Sequence, residues 1–238
     1  MLKSDFHAHT NYIIHKYDSK LTPKQLINFT ASKGYEVLAI TEHSAFGSLL
    51  GSTKFFKNPI KTYFDFKDYA KKKRILLIPG VEAFIEKKEI LLINFKGNLD
   101  NIKTFEDIEK LKDENAVIIA PHPYYGKPSC LGNKLIDYIR LFDAIEHCHF
   151  YLPFFNPNKK AIEIAKKYKK PLVANSDAHN FNQIGSNYTL VDADKNVDSI
   201  LEAVRKNKLR IVTKPLSIPD FASILAWSLV GSINKKIV

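Results

Sequence analysis

The chain has 238 residues, of which 45% are hydrophobic and 12% aromatic, enough for a sizeable core and unlike a disordered or fibrous chain. Its formal charge is +11 and all but four of its 36 basic residues are lysine, which favours anionic partners unless those lysines only coat solvated faces. The two cysteines, Cys130 and Cys148, exclude a disulfide framework and a Cys-x-x-Cys metal site.

The pattern predicts a short strand over residues 2–7, closed by Asp5-Phe6-His7-Ala8-His9. Histidines one residue apart on a strand share a face, so two imidazoles can chelate one metal; the bland alternative is a chance surface pair. The same residues interrupt any signal-peptide core, and a soluble cytoplasmic protein is expected. A loop over 10–20 carries His15 and Asp18. Thr22-Pro23-Lys24-Gln25 has the form of a capping box with proline at the first helical position, and Gly34 suits the end of that helix. Residues 36–41 read as a buried strand followed at once by Glu42 and His43. Segment 44–59, with Gly47, Gly51 and Pro59, reads as a long functional loop or a broken helix.

A helix is expected over 62–73 and a buried strand over 74–81, with Glu82 just beyond. A hairpin follows, its turn at 86–89 and its return strand at 90–95. Thr104 starts a helix with Phe105, Ile108 and Leu111 on one face. Strand 116–120 runs into Pro121-His122-Pro123, and strand 142–145 runs into Glu146 and His147, with His149 two residues further. Ala161, Ile164, Ala165 and Tyr168 share a helix face; strand 172–174 then leads into Asn175-Ser176-Asp177-Ala178-His179. A seventh strand is expected over 188–191, then a helix presenting Val197, Ile200, Leu201 and Val204. The thirteen uncharged residues 221–233 read as a packed terminal helix, while Trp227, Lys235 and Lys236 keep an interfacial membrane anchor open. No run of about 18 apolar residues is present, so no ordinary membrane span is expected.

Buried strands alternating with helices, without an internal linker, predict an α/β fold of parallel units, either closed into a barrel or left as a doubly wound sheet. One domain over 1–215 and a helical tail over 216–238 are expected. Metal-ligand residue types stand at the carboxyl ends of six of the seven predicted strands. Those ends converge on one mouth in a barrel and on one crevice in an open sheet.

Asp5-Phe6-His7-Ala8-His9-Thr10, Thr41-Glu42-His43, Pro79-Gly80-Val81-Glu82, Pro121-His122-Pro123, Ala144-Ile145-Glu146 and Ser176-Asp177-Ala178-His179 follow one another in an order that resembles the PHP (polymerase and histidinol phosphatase) family of metal-dependent phosphoesterases. Residues 180–212 are similar to the PHP-associated segment of small stand-alone members. The resemblance implies a distorted (β/α)7 TIM-like barrel holding two to three divalent ions. It implies that His7, His9, Glu82 and Asp177 hold the first ion, that Glu82 bridges to a second held also by His122, and that His15, His43 and His179 hold the third. Asp18 is the alternative to His15, because many members use an aspartate in that loop. His7, His9, Glu82, Asp177 and His179 are the expected catalytic set. In trinuclear members the hairpin after the bridging glutamate adds a histidine to the second ion, and here Leu91 stands at that place. Water fills the position, or His147 or His149 substitutes, or the enzyme works with fewer ions.

Imidazole with carboxylate suits Zn, Mn or Fe. Clustered dications lower the pKa of a bridging water and screen charge on phosphoryl oxygens. Asp5 and Glu42 are expected to orient ligands rather than touch metal. Lys127 is a candidate phosphate contact, against the plainer reading of a solvated loop lysine. These implications favour a phosphatase or phosphodiesterase acting on a small phosphorylated metabolite or nucleotide. Phe46, Phe55, Phe56, Tyr63, Phe64 and Phe66, interleaved with Lys54, Lys57 and Lys61, leave open an exonuclease or other nuclease acting on single strands. A non-catalytic, metal-stabilised scaffold is the third reading.

Overall fold

The computed structural model describes residues 1–13, 19–47, 53–55 and 58–234. In chain order the elements are β1 (Leu2–Ala8), α1 (Pro23–Ser32), β2 (Val37–Ile40), β3 (Ala45–Gly47), β4 (Thr53–Phe55), α2 (Lys61–Lys72), β5 (Leu76–Ile85), β6 (Lys88–Ile93), α3 (Phe105–Leu111), β7 (Val117–Ala120), α4 (Lys134–Asp137), β8 (Ala144–His147), α5 (Asn158–Lys167), β9 (Leu172–Ala174), β10 (Tyr188–Val191), α6 (Val197–Arg205), β11 (Leu209–Val212) and α7 (Ile218–Asn234). The capping box at α1 forms as expected: Gln25 N donates to Thr22 Oγ1 at 3.3 Å and Thr22 N donates to Gln25 Oε1 at 3.0 Å. Gly34, with φ +74°, takes the left-handed conformation that ends the helix. Within segment 44–59, β3 and β4 pair as a small antiparallel hairpin, a structure the expected loop or broken helix did not include.

Nine strands form one sheet in the order β11-β10-β1-β2-β5-β6-β7-β8-β9. β1, β2 and β5 run parallel, as do β7, β8 and β9, while β6 is inserted antiparallel between the two sets. The sheet curls until its ends nearly meet. Phe6 N donates to Asn175 Oδ1 at 2.9 Å, and Thr189 Oγ1 both accepts from Ala174 N and donates to Ala174 O at 2.9 Å. The result is a nearly closed barrel rather than an open doubly wound sheet. Two expectations need correction. The seventh predicted strand, β10, is antiparallel to β1, and β11 extends the sheet beyond it. β11 escaped notice because Leu209-Arg210-Ile211-Val212 is a half-exposed edge strand with no buried apolar run.

Side-chain alternation sorts the core into an inner and an outer layer. Val37, Ala39, Ile78, Leu91, Ile93, Val117, Ile119, Ala144, Val173 and Val191 share the interior cluster with Phe6. Ile200, Leu201, Ala203 and Val204 of α6 join the same cluster and plug the barrel at the end opposite the strand termini. The outer faces pack under helices, with Leu38, Ile40 and Leu77 against α1 and α2, and Ile90, Leu92, Ile118 and Ile145 toward α3, α4 and α5. Leu216 and Ile224 bury against Cys148, Phe150 and Leu152, so the tail helix α7 is packed on the barrel over the described side chains. No helix among the described residues is long and apolar enough to cross a membrane.

Gly80 is a tight point of the interior wall. A Cβ there would stand 2.8 Å from Thr41 Cγ2 and 3.1 Å from Ile93 Cδ1. Gly80→Ala is therefore expected to destabilise the fold by about 1–3 kcal/mol through overpacking, read as a lower urea midpoint at unchanged slope. A midpoint equal to that of the parent chain would show that the wall yields freely.

Candidate metal centre

A register break in β1 sets up the site. Asp5 pairs with Leu38 but Ala8 with Ile40, so one extra residue is taken up between them. Such a bulge reverses alternation locally. Phe6 can then fill the barrel interior while His7 and His9 both turn inward immediately above it. Glu82 arrives from β5 on the interior parity of Ile78 and Gly80, and Glu146 arrives from β8 on that of Ala144. His122 and Asp177 follow the last residues of β7 and β9, and both have left-handed backbone, with φ of 25° and 46°. Strain at non-glycine residues of this kind is characteristic of sites whose side chains must be aimed.

The carboxylate of Glu82 stands between four imidazoles. Its Oε1 lies 3.4 Å from His7 Nε2 and 3.2 Å from His122 Nε2; its Oε2 lies 3.4 Å from His9 Nε2 and 2.8 Å from His43 Nδ1. Asp177 Oδ1 lies 3.4 Å from His7 Nε2 and 3.3 Å from His9 Nε2. His7 Nε2 is buried and makes no hydrogen bond. The four separations of 3.3–3.4 Å at His7 Nε2 and His9 Nε2 suit a shared cation better than hydrogen bonds, whereas the His122 and His43 contacts to Glu82, at 3.2 and 2.8 Å, are within hydrogen-bond distance. Ligand atoms about 2.1 Å from a tetrahedral ion are about 3.4 Å from one another. His9, His43 and His179 form a neighbouring group whose ring nitrogens lie within 4.8 Å of one another, with His9 stacked between the other two at centroid distances of 4.4 and 4.3 Å.

The electrostatics ask for positive charge at the same point. Burial alone would depress His7, but the charges of Glu146, Asp177 and Glu82 outweigh it and hold the imidazole well above its usual range. Burial would raise Glu82 and Asp177, yet the surrounding histidines hold both well below the ordinary carboxylate range. His9 is depressed by burial and by His43, which favours the neutral form a ligand needs. A cation between these carboxylates would satisfy them without protonating His7.

Residues 155–209 match a family model described as PHP-associated. Over that segment the chain is similar to the PHP family. An uncharacterized protein of Methanocaldococcus jannaschii is 28% identical over 144 residues, covering 57% of this chain and 76% of that protein. Among solved structures, a two-domain protein from Bacteroides vulgatus containing a predicted PHP-like metal-dependent phosphoesterase superposes with a TM-score of 0.67 at 18% identity, over 98% of this chain and 69% of that one. PsfC from Pseudomonas syringae superposes with a TM-score of 0.60 at 13% identity, over 97% of both chains. At these identities the two structures speak for the fold.

Of the PHP residues expected from the sequence, the structure brings together His7, His9, His43, Glu82, His122, Asp177 and His179. His15 and Asp18 lie outside the described residues. Glu146 works from behind the ligands: it receives the Nδ1–H of His7 at 3.0 Å, leaving Nε2 to face the centre, and also accepts from His122 N at 2.8 Å and Asn175 Nδ2 at 2.7 Å. Asp5 accepts from the backbone of His7 and Ser176, and burial pushes it up to about 6. Glu42 is a brace, holding the Thr10 hydroxyl and Thr62 Oγ1, the latter at 3.0 Å.

Among the described residues, neither His147 nor His149 joins the groups whose ligand atoms cluster around Glu82. His147 alternates away from Glu146 and lies edge-on to Tyr151 at 5.2 Å, while His149 Nε2 sits 3.1 Å from Gln183 Nε2. Leu91 pairs with Glu82 across the hairpin but is wholly buried in the interior cluster, below the ligands. The sequence reading missed three neighbours. Asn175 ties β1 to Glu146, Cys130 Sγ lies 3.6 Å from His122 Nδ1, and Glu89 lies at the mouth, with Oε2 3.8 Å from His122 Nε2. The expected turn at 86–89 is in fact Glu86-Lys87 alone, both with positive φ, which returns Glu89 to β6.

Proposed function

We propose that this protein is a metal-dependent phosphoesterase that hydrolyses a phosphomonoester or phosphodiester of a small metabolite or nucleotide. The observation that carries this reading is the position of Glu82, whose two oxygens each face two imidazoles beside Asp177. His7, His9, Glu82 and Asp177 would hold a first divalent ion, Glu82 and His122 a second, and His43 and His179 a third together with a loop residue. Bound divalent ions supply a nucleophile near neutral pH and screen negative charge on phosphoryl oxygens. Zn, Mn and Fe all suit this donor set. The likeness to a PHP-like metal-dependent phosphoesterase supports the reaction class.

Several residues prepare the site without touching an ion. Glu146 fixes the His7 tautomer, and Asn175 fixes Glu146. Lys127 belongs to the loop after His122 and is an exposed residue whose ammonium lies 4.9 Å over the Tyr125 ring. Burial would depress this ammonium, but the charges of Glu89 and Asp177 outweigh that and raise its pKa. It is therefore a standing cation at the rim, suited to a phosphate oxygen.

Metal-loaded protein should hydrolyse p-nitrophenyl phosphate or members of a nucleotide panel in the presence of Mn or Zn; inactivity on every phosphoester would overturn the reading. Lys127→Ala should raise KM roughly tenfold and change kcat less, as expected for loss of one charge-assisted contact to bound substrate. An unchanged KM would remove Lys127 from the substrate site. A nuclease is less well supported by the aromatic segment: Tyr63 and Phe66 pack against the cluster beneath α1 and α2, Lys61 pairs with Asp65, and Phe64 is left exposed. Phe56 and Lys57 lie outside the described residues.

A further inference from the structure

We infer that Glu89 is a ligand of the second ion, so that this chain completes with a carboxylate the position at which the resemblance leads one to expect a histidine. This rests on the metal-centre reading above and extends it to a residue that no motif supplies.

The geometry begins with the hairpin. The turn uses only Glu86 and Lys87, with φ of 46° and 64°, so the return strand β6 starts at Lys88. β6 runs antiparallel to β5, and its first residues therefore lie at the mouth where the parallel strands end. Alternation places Glu89 on the face of Leu91 and Ile93, both members of the interior cluster, while Ile90 and Leu92 face the outer layer. Glu89 is the uppermost residue of that inward row.

Its carboxylate is poised rather than satisfied. Glu89 Oε2 is buried and accepts no hydrogen bond, a costly condition for an ionised group. It lies 3.8 Å from His122 Nε2, and ligand atoms of Glu89, Glu82 and His43 fall within 4.8 Å of one another. His122 Nε2 is in turn 3.2 Å from Glu82 Oε1. Glu82, His122 and Glu89 thus converge on one point beside the first ion's ligands. The backbone is fixed there as well: Glu89 N donates to Ser129 O at 2.9 Å, and Lys88 Nζ donates to Pro128 O and Cys130 O at 2.8 Å. A carboxylate in place of an imidazole hardens the donor set, which shifts preference from Zn toward Mn.

The test is a metal count. Full-length protein and the Glu89→Gln, Glu89→Ala and Glu89→His variants are loaded with Mn or Zn, dialysed and measured by elemental analysis, with Mn binding also followed by electron paramagnetic resonance. Both Glu89→Gln and Glu89→Ala should lose about one equivalent, or bind their weakest ion at least tenfold less tightly, and lose the signal of a coupled Mn pair. Glu89→His should regain the equivalent and favour Zn. Circular dichroism and melting of the metal-free variants separate misfolding from ligand loss, Glu89→Gln being nearly isosteric. Unchanged stoichiometry, affinity and coupling in folded Glu89→Gln and Glu89→Ala would overturn the inference, as would a parent chain that binds no second ion. Loss of the equivalent from a protein inactive on every phosphoester would sink the proposed reaction and leave Glu89 as a ligand.

Discussion

His7→Ala is expected to lose turnover rather than merely weaken substrate binding. The imidazole faces both Glu82 and Asp177 through Nε2 and is locked by Glu146 through Nδ1. Its removal would open the ligand set proposed for the first ion and leave Glu146 without the Nδ1–H it accepts. We expect kcat on a responsive phosphoester to fall by at least about 10³-fold, equivalent to about 4 kcal/mol of transition-state stabilisation, together with loss of one equivalent of metal. Steady-state kinetics and elemental analysis on the same preparation check both. Retained kcat once metal is restored would remove His7 from the centre.

The neighbouring substitution Phe6→Ala should act on the other side of the bulge and on stability. Phe6 is fully buried in the interior cluster, one layer beneath the histidines. Its removal would leave a hole that rigid strands on all sides cannot collapse into, so a loss of about 3–5 kcal/mol is expected. Urea unfolding should show a lower midpoint with little change of slope. A loss below about 1 kcal/mol would mean that the barrel repacks around the gap. Adjacent residues in one strand would thus separate chemistry from folding.

Much of the candidate site was legible because its ligands sit where strands end. His7 and His9, Glu82, His122 and Asp177 each lie near or just beyond the end of a predicted strand, and a barrel brings those ends to one mouth without knowledge of the loops. The strand ends also implied one mouth, and the six parallel strands bear that out. The hairpin was harder to read. Glu86-Lys87-Lys88-Glu89 looks like a solvated turn, and it lacks the Asn-Gly or Asp-Gly pair that marks a two-residue hairpin. Only the positive φ values at Glu86 and Lys87 show that the turn is that short. The Glu89, Leu91, Ile93 alternation was the available signal, but it is read correctly only once the turn length is known. His147 illustrates the reverse error: adjacency to Glu146 in sequence places it on the opposite face of β8. The bulge in β1 left no mark in composition, since a one-residue slip changes pairing rather than residue type.

The plug formed by α6 has a consequence for traffic. With Ile200, Leu201 and Val204 sealing one end of the barrel, and Arg205 Nη1 reaching Ala116 O at 3.2 Å to hold the plug in place, the described structure offers no rear exit. Whatever enters at the mouth leaves by the same doorway. For the proposed phosphoesterase, the alcohol and the phosphate would both have to pass the rim by which substrate came in, and a product held there would block the next arrival.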